Sequence, residues 1–375
     1  MDVIGISIVV PTRGRSTLVA RLLDSLDRAA RAYGGEVEVL ILDDSDEDEA
    51  RRIREAVAAH CFATYVPSDP NVRRKRNNGI DRARHEVVLF VDSDCEATPE
   101  LLREHSRLYA ERNGDLGGVV GVTEFVGSDS AMWQVIQRTQ FLNAFSFARR
   151  METVPWATCT NTSYKTALLR EVGGFDTSFP AKLGGDDVDL GLRVNAAGYK
   201  LYSNPSAVVF HARETWNSFA AVLSRAFRWG RMDLHLYHRK HADRITASMP
   251  RFVTLFLLLL CMSLAHAVIL RRPLFLLFPW AWALLVLALQ AFAAVRRSGE
   301  TWRHFVHELA ADALGLAFEA GTILEGLRYF DFSPLFRTVR RGPVLPVFEN
   351  DEWRTQQWSM LIALLLLTTL IPFWV

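Results

Sequence analysis

Two carboxylates, Asp92 and Asp94, flank Ser93 directly after the apolar run Val87 to Val91. In an extended segment residues i and i+2 point the same way, so both acids can face one partner. Acids this close repel each other unless a cation sits between them. A hard divalent ion, Mn²⁺ or Mg²⁺, meets that need, with the oxygens of a bound diphosphate as further ligands. His211 follows another apolar strand in "VVFHARE" and offers an imidazole as a third ligand, which would favour Mn²⁺.

Three further clusters carry chemistry. "DDSDEDEARR" places Asp43 and Asp44 where a carboxylate could accept from a nucleobase N–H edge or a ribose hydroxyl. Asp46 to Glu49 read instead as acids complementing a helix N-terminus. "NVRRKRNNG" gathers Arg73, Arg74, Lys75 and Arg76 ahead of the Asp92 strand. Such cations attract a diphosphate, although a solvated basic face accounts equally well for Arg73 and Arg74. "GGDDVDL" puts Asp186, Asp187 and Asp189 after a Gly pair that allows close backbone approach. Three acids exceed what capping a helix requires, and a general base among them is expected.

The elements that must position these groups alternate. "GISIVVP" and "EVEVLILDDSD" read as buried strands and "STLVARLLDSLDRAARAYG" as an amphipathic helix opened by Ser16. "DEARRIREAVAAH" and "VRRKRNNGIDRARH" read as further helices, and "EVVLFVDSD" as a third strand. Strand–helix alternation implies parallel βαβ units in a doubly wound α/β sheet, whose ligands bind beyond the carboxyl ends of the strands. Pro11-Thr12, Asp43-Asp44 and Asp92-Ser93-Asp94 all fall at such ends.

A second regime follows. Residues 252–270, 274–295 and 358–375 are long apolar runs without formal charge, each near the roughly 20 residues that span a bilayer. Residues 308–327 form an amphipathic stretch containing Asp312, Glu319 and Glu325, read as an interfacial or re-entrant helix. The expected division is a catalytic domain over residues 1–245 and a membrane region over 246–375. Half of the 375 residues are hydrophobic, and the net charge of +1 gives no pull toward nucleic acid. The four cysteines show no CxxC spacing and imply neither a disulfide framework nor a zinc site. The N-terminus lacks a signal-peptide pattern, and the arginines flanking the first two runs favour a cytoplasmic catalytic domain on a multi-pass cell-membrane protein. The 358–375 run would then carry Val375 to the outer face.

"SIVVPTRGR", "LILDDSD", "KRNNGIDRA", "LFVDSD", "TNTSYKTALLREVGGFD", "GGDDVDLGLRVNAAGYKLYSNPSAVVFH" and "SRAFRWGR", in this order, resemble an inverting, membrane-anchored family-2 glycosyltransferase with the GT-A fold. The resemblance covers roughly Ile6 to Arg231. It implies that Pro11, Thr12 and Arg15 line a nucleotide pocket and that Asp43 and Asp44 hold base and ribose. It implies that Arg76, Asn77, Asp92 and Ser93 face the nucleotide-sugar donor. Asp92, Asp94 and His211 correspond to metal ligands. Asp187 matches the catalytic base, with Asp186 where the family carries Glu. Arg225, Arg228 and Trp229 resemble an acceptor motif that has Gln at the first position. The implied reaction is metal-dependent sugar transfer to a hydroxyl of a lipid-linked or polysaccharide acceptor at the cytoplasmic membrane face. Alternatives are a processive polysaccharide synthase and a non-catalytic nucleotide-sugar-binding membrane protein. A P-loop phosphotransferase is disfavoured, since no G-x-x-x-x-G-K-[ST] is present.

Overall fold

A computed structural model describes residues 4–112, 114–139, 141–244, 252–299, 302 and 304–336. The expected crossing at 358–375 lies outside these residues. The chain divides by contacts into two compact units, one of residues 1–129 with 141–217, the other of residues 130–140 with 218–375.

The first unit is built on one mixed sheet. Its strands are β1 (Ile6–Thr12), β2 (Val37–Asp43), β3 (Ala63–Pro67), β4 (Val87–Val91), β5 (Cys95–Ala97), β6 (Leu116–Val126), β7 (Thr153–Val154), β8 (Asn161–Lys165) and β9 (Lys200–Ala212). Its helices are α1 (Ser16–Tyr33), α2 (Glu47–Ala58), α3 (Val72–Arg82), α4 (Leu101–Glu111), α6 (Thr166–Glu171) and α7 (Asp186–Ala196), with α5 (Ala131–Arg138) assigned to the second unit. Strand order is β3-β2-β1-β4-β8-β6-β9-β5, with β7 pairing β9 at the side. β1 to β4 run parallel, while β8 is antiparallel to both β4 and β6. This is the open α/β sheet expected from the alternation, with a mixed second half. β4 is the fourth strand in sequence, not the third. The intervening β3 escapes a hydrophobic reading because it is a short edge strand with only Val66 buried.

Burial explains the strands. Every residue of β4 is buried, as are Ile6 to Val10 of β1. Leu22, Leu23 and Leu26 of α1 pack on that face together with Ile53 of α2. Each such side chain contributes on the order of 1.5–3 kcal/mol of transfer free energy. Ser16 is the first residue of α1 and not its cap: Arg15 precedes it at φ 66°, and the Ser16 N–H donates to Glu49 Oε2 at 2.9 Å.

The second unit holds α5, α8 (Phe219–Asp233), a π-helical segment Leu234–Lys240, α9 (Phe252–Ile269), α10 (Phe278–Ser298), α11 (His304–Arg328) and α12 (Ser333–Phe336). Among the described residues, two helical stretches, Phe252–Ile269 and Pro273–Arg296, are long and apolar enough to cross a membrane. Only 28% of each stretch is buried, and Leu258, Leu264, Leu284, Leu285 and Phe292 are exposed. A core helix of a water-soluble domain would bury such residues. α11 packs on α8 at backbone distance: a Cβ at Gly230 would overlap the Phe318 carbonyl, and one at Gly321 the Phe227 carbonyl. The acids within α11 have partners. Glu325, buried, accepts from Arg231 Nε at 2.7 Å and faces His235 Nε2 at 3.0 Å, and Glu319 accepts from the Val253 N–H at 3.1 Å.

Candidate active site

The carboxyl ends of β1, β2 and β4 carry the acids and cations of the first unit. Asp92, at the tip of β4, accepts from Thr160 Oγ1 at 3.0 Å and lies 3.6 Å from Arg76 Nη2. A turn follows, closed by Cys95 N–H donating to the Asp92 carbonyl at 3.1 Å, and it buries Ser93 and Asp94. Asp94 accepts from Arg15 Nη1 at 2.8 Å and lies 3.3 Å from His211 Nε2. Arg15 makes this contact from a left-handed backbone (φ 66°), a conformation costly for a side-chain-bearing residue and characteristic of functional loops.

His211 tests whether these residues fit a cation. Its Nδ1 lies 3.0 Å from the Ala212 carbonyl and is assigned as donor there. In a neutral imidazole the Nε2 lone pair then faces the Asp94 carboxylate. Two acceptors at 3.3 Å repel unless a cation or a shared proton stands between them. The oxygen and nitrogen donors of Asp94 and His211 suit Mn²⁺ or a neighbouring first-row ion. The structure brings Asp94 and His211 together; Asp92 is directed to Arg76 and Thr160 instead.

The second acid cluster opens α7. Gly184 (φ 82°) and Gly185 (φ 72°) make the tight left-handed approach that a Cβ would strain. Arg73, fully buried, donates to the carbonyls of Phe179, Pro180 and Gly184 and so fixes this loop. It is a loop clamp and not a solvated face; Arg74 is exposed and pairs with Asp69. Asp186 forms a close ion pair with Arg76 Nη1. Among the described residues Asp187 forms no such close ion pair. Its Oδ1 accepts from the Val188 N–H at 2.9 Å. Surrounding protein and the neighbouring Asp186 charge push its carboxyl up to about 7, against the pull of Arg76. Asp189 is turned away, accepting from Arg193 Nε at 2.8 Å, while Arg193 also holds the Val172 and Gly174 carbonyls.

A family model described as glycosyltransferase like family 2 matches residues 5–231. The chain belongs to glycosyltransferase family 2. A validoxylamine A glucosyltransferase of Streptomyces hygroscopicus subsp. jinggangensis is 27% identical over 238 residues, covering 56% of this chain and 54% of that protein. A dolichyl N-acetyl-alpha-D-glucosaminyl phosphate 3-beta-D-2,3-diacetamido-2,3-dideoxy-beta-D-glucuronosyltransferase of Methanococcus voltae is 25% identical over 217 residues, 54% of this chain and 65% of that one. The chain spans about half the length of the first of these curated relatives. Among solved structures, a mannosyltransferase from Pyrobaculum calidifontis with GDP-Man and Mn²⁺ is similar at 17% identity and a TM-score of 0.48, covering 98% of this chain and 88% of that one.

The remaining residues singled out in this family 2 chain fall into place as follows. Pro11 and Thr12 end β1, and the Thr12 carbonyl accepts from buried Lys75 Nζ. Lys75 also forms a close ion pair with Asp44, which Arg13 approaches at 3.8 Å. Asp43 is occupied by the protein itself: it accepts from Ser45 N–H (3.1 Å), Ser45 Oγ (2.5 Å) and Tyr65 Oη (3.0 Å). Asn77 exchanges two hydrogen bonds with the Phe175 backbone, at 2.8 and 2.7 Å. Arg225, Arg228 and Trp229 lie on α8, in the second unit.

Near the acids stand two residues outside the candidate clusters, Thr160 and Cys95, and one member of the basic run, Lys75. Thr160, which orients Asp92, sits in "TNTSYK", where nothing in the sequence marks a hydroxyl aimed at an acid. Its neighbour Asn161 is anchored by buried His105, whose Nε2 lies 2.8 Å from Asn161 Oδ1. Burial pushes the His105 imidazole down to about 4, so it is a neutral strut. Lys75 was visible in the basic run, but its inward direction was not. Cys95 was set aside for want of a CxxC spacing, yet it joins Asp94 and His211 within 4.8 Å.

Proposed function

We propose that the chain transfers a sugar from a nucleotide-sugar donor to an acceptor hydroxyl by a single, inverting displacement with Asp187 as general base. One observation carries this reading. Arg76 clamps Asp186 in a close ion pair beside Asp187; burial first, and the Asp186 charge second, push the Asp187 carboxyl up to about 7 against the pull of Arg76, where a base is matched to neutral pH. Asp187 takes the acceptor proton as its oxygen attacks the anomeric carbon. Arg76, held by Asp186 and Asp92, lies where it can offset charge on the departing diphosphate. Asp94 and His211, with Asp92 across the turn, would hold a divalent cation, Mn²⁺ or Mg²⁺. When bound, that ion stabilises the same leaving group by several kcal/mol. Arg15 and Asp44 border the β1 and β2 tips, where the nucleoside is expected. Asp43 supports that pocket through Ser45 and Tyr65, and Asn77 supports the donor side by fixing Phe175.

The acceptor is read as lipid-linked or a growing glycan at the cytoplasmic membrane face, with the catalytic unit inside the cell. The uncovered apolar faces of α9 and α10 support a membrane site of action. The relative named for a dolichyl-phosphate-linked substrate agrees with it. Arg225, Arg228 and Trp229 are the proposed acceptor contacts. Purified full-length protein with a panel of nucleotide sugars, Mn²⁺ or Mg²⁺, and polyprenyl-linked acceptors provides the test. Release of nucleoside diphosphate that depends on acceptor and stops in EDTA is expected. Absence of turnover with every donor favours a non-catalytic sugar-nucleotide binder.

A further inference from the structure

Cys95 stands in cross-strand register with His211 where β5 pairs antiparallel with β9. Directly paired residues place their side chains on the same face of a sheet, with Cβ atoms roughly 4.5–5.5 Å apart. The turn that follows β4 swings Asp94 against the same imidazole, 3.3 Å from Nε2. The three potential ligand atoms, a carboxylate oxygen, a thiol sulfur and an imidazole nitrogen, lie within 4.8 Å of one another, and all three residues are buried. Asp92 is outside this cluster, held by Thr160 and Arg76. The two acids of the strand tip therefore face different neighbours, and it is the Asp94 carboxylate that groups with the Cys95 sulfur and the His211 imidazole.

We infer that Cys95 is a metal-selectivity residue, completing an Asp94–Cys95–His211 donor set that captures thiophilic divalent ions of the Zn²⁺ and Co²⁺ class. This rests on the reading of Asp94 and His211 as cation ligands. Hard Mg²⁺ gains nothing from sulfur, and Mn²⁺ little, whereas Zn²⁺ binds thiolate, imidazole and carboxylate together. Ligation removes the thiol proton, which passes to solvent as the Zn–S bond forms; no oxidant is required. The Zn²⁺-class ion is drawn toward Cys95 and away from Asp92. It competes with the productive ion and leaves the diphosphate poorly held. The site would thus tell Mn²⁺ from Zn²⁺ by one atom.

Cobalt(II) is the probe. Full-length protein in detergent is titrated with Co²⁺ and read by absorption, without any donor or turnover. The wild type is expected to show a thiolate-to-cobalt charge-transfer band together with ligand-field bands. Cys95→Ser should lose the charge-transfer band and keep Co²⁺ binding through Asp94 and His211. The same substitution should weaken Zn²⁺ relative to Mn²⁺ by at least about tenfold in competition, and relieve Zn²⁺ inhibition of donor turnover by a similar factor. Cys95→Ala, with no oxygen at this position, must behave alike, which separates ligation from folding. Ligand-field bands without a charge-transfer band in the wild type, or a band that survives in Cys95→Ser, overturn the inference and leave the metal reading intact. No Co²⁺ or Mn²⁺ binding by a folded protein overturns both.

Discussion

The strand tip at Asp92–Cys95 and the helix start at Gly184–Asp189 are built from the same materials, closely spaced aspartates within reach of arginine, yet they do opposite things with charge. At the strand tip each carboxylate has an arginine, Arg15 for Asp94 and Arg76 for Asp92, with the His211 imidazole beside the first and the Thr160 hydroxyl on the second. At the helix start the two acids differ: Asp186 is clamped by Arg76, and Asp187 accepts from the Val188 backbone N–H. The first arrangement keeps negative charge available for a cation. The second forces a proton onto one acid near neutral pH. Arg76 belongs to both, so that the same guanidinium supports the strand tip and polarises the acid pair.

The largest effects should come from removing the members that carry each role. Asp94→Ala is expected to lower donor turnover by at least about 100-fold, with wild-type activity equally lost in EDTA; full activity in EDTA removes the strand tip from the reaction. Asp187→Asn keeps size and hydrogen bonding and should cost about 10²- to 10⁴-fold in kcat, with nucleotide affinity nearly unchanged. If Asp186→Asn produces that loss and Asp187→Asn does not, the two roles are exchanged. A smaller effect is expected at Thr160. Its hydrogen bond to the Asp92 carboxylate is taken at the low end for bonds to charged groups, about 1.5 kcal/mol, so Thr160→Val should cost about tenfold in kcat while Thr160→Ser restores it.

Stability provides a quieter contrast. The Asp187 carboxyl is raised in the folded protein to about 7 from its ordinary 3.8, so the native state holds its proton more tightly than the unfolded chain. Its contribution is fully present below the unfolded value and is lost as pH rises toward about 7. Asp187→Asn should therefore raise the unfolding temperature at pH 8, by an amount that shrinks as pH falls toward 4. An equal shift at all pH values means the carboxyl is not perturbed.

Much of this was legible in advance, for reasons that differ by residue. β1, β2 and β4 are buried on both faces, so continuous apolar runs announced them, and the acids at their ends followed. The Gly pair before α7 and the acids that open it pointed to a special turn. What could not be read was partner choice. Asp43 and Asp44 are neighbours in sequence, but Ser45 and Tyr65 saturate the first while Lys75 pairs with the second. Arg73 and Arg74 are equally adjacent, and helical rotation sends one into the Phe179–Gly184 loop and the other to solvent. Such differences depend on which strand or loop arrives in space, from 22 positions away for Tyr65 at Asp43 to 110 for Asp186 at Arg76.

The central claim, that Arg76 holds Asp186 so that Asp187 can serve as base, is tested most directly by the pH dependence of kcat/KM for nucleoside diphosphate release. The wild type should lose activity below a midpoint at about 7 and plateau above it. Burial raises Asp187 most and the Asp186 charge next, so Asp186→Asn should move that midpoint lower. A wild-type profile flat from pH 5 to 8, or a midpoint unmoved in Asp186→Asn, would contradict the assignment.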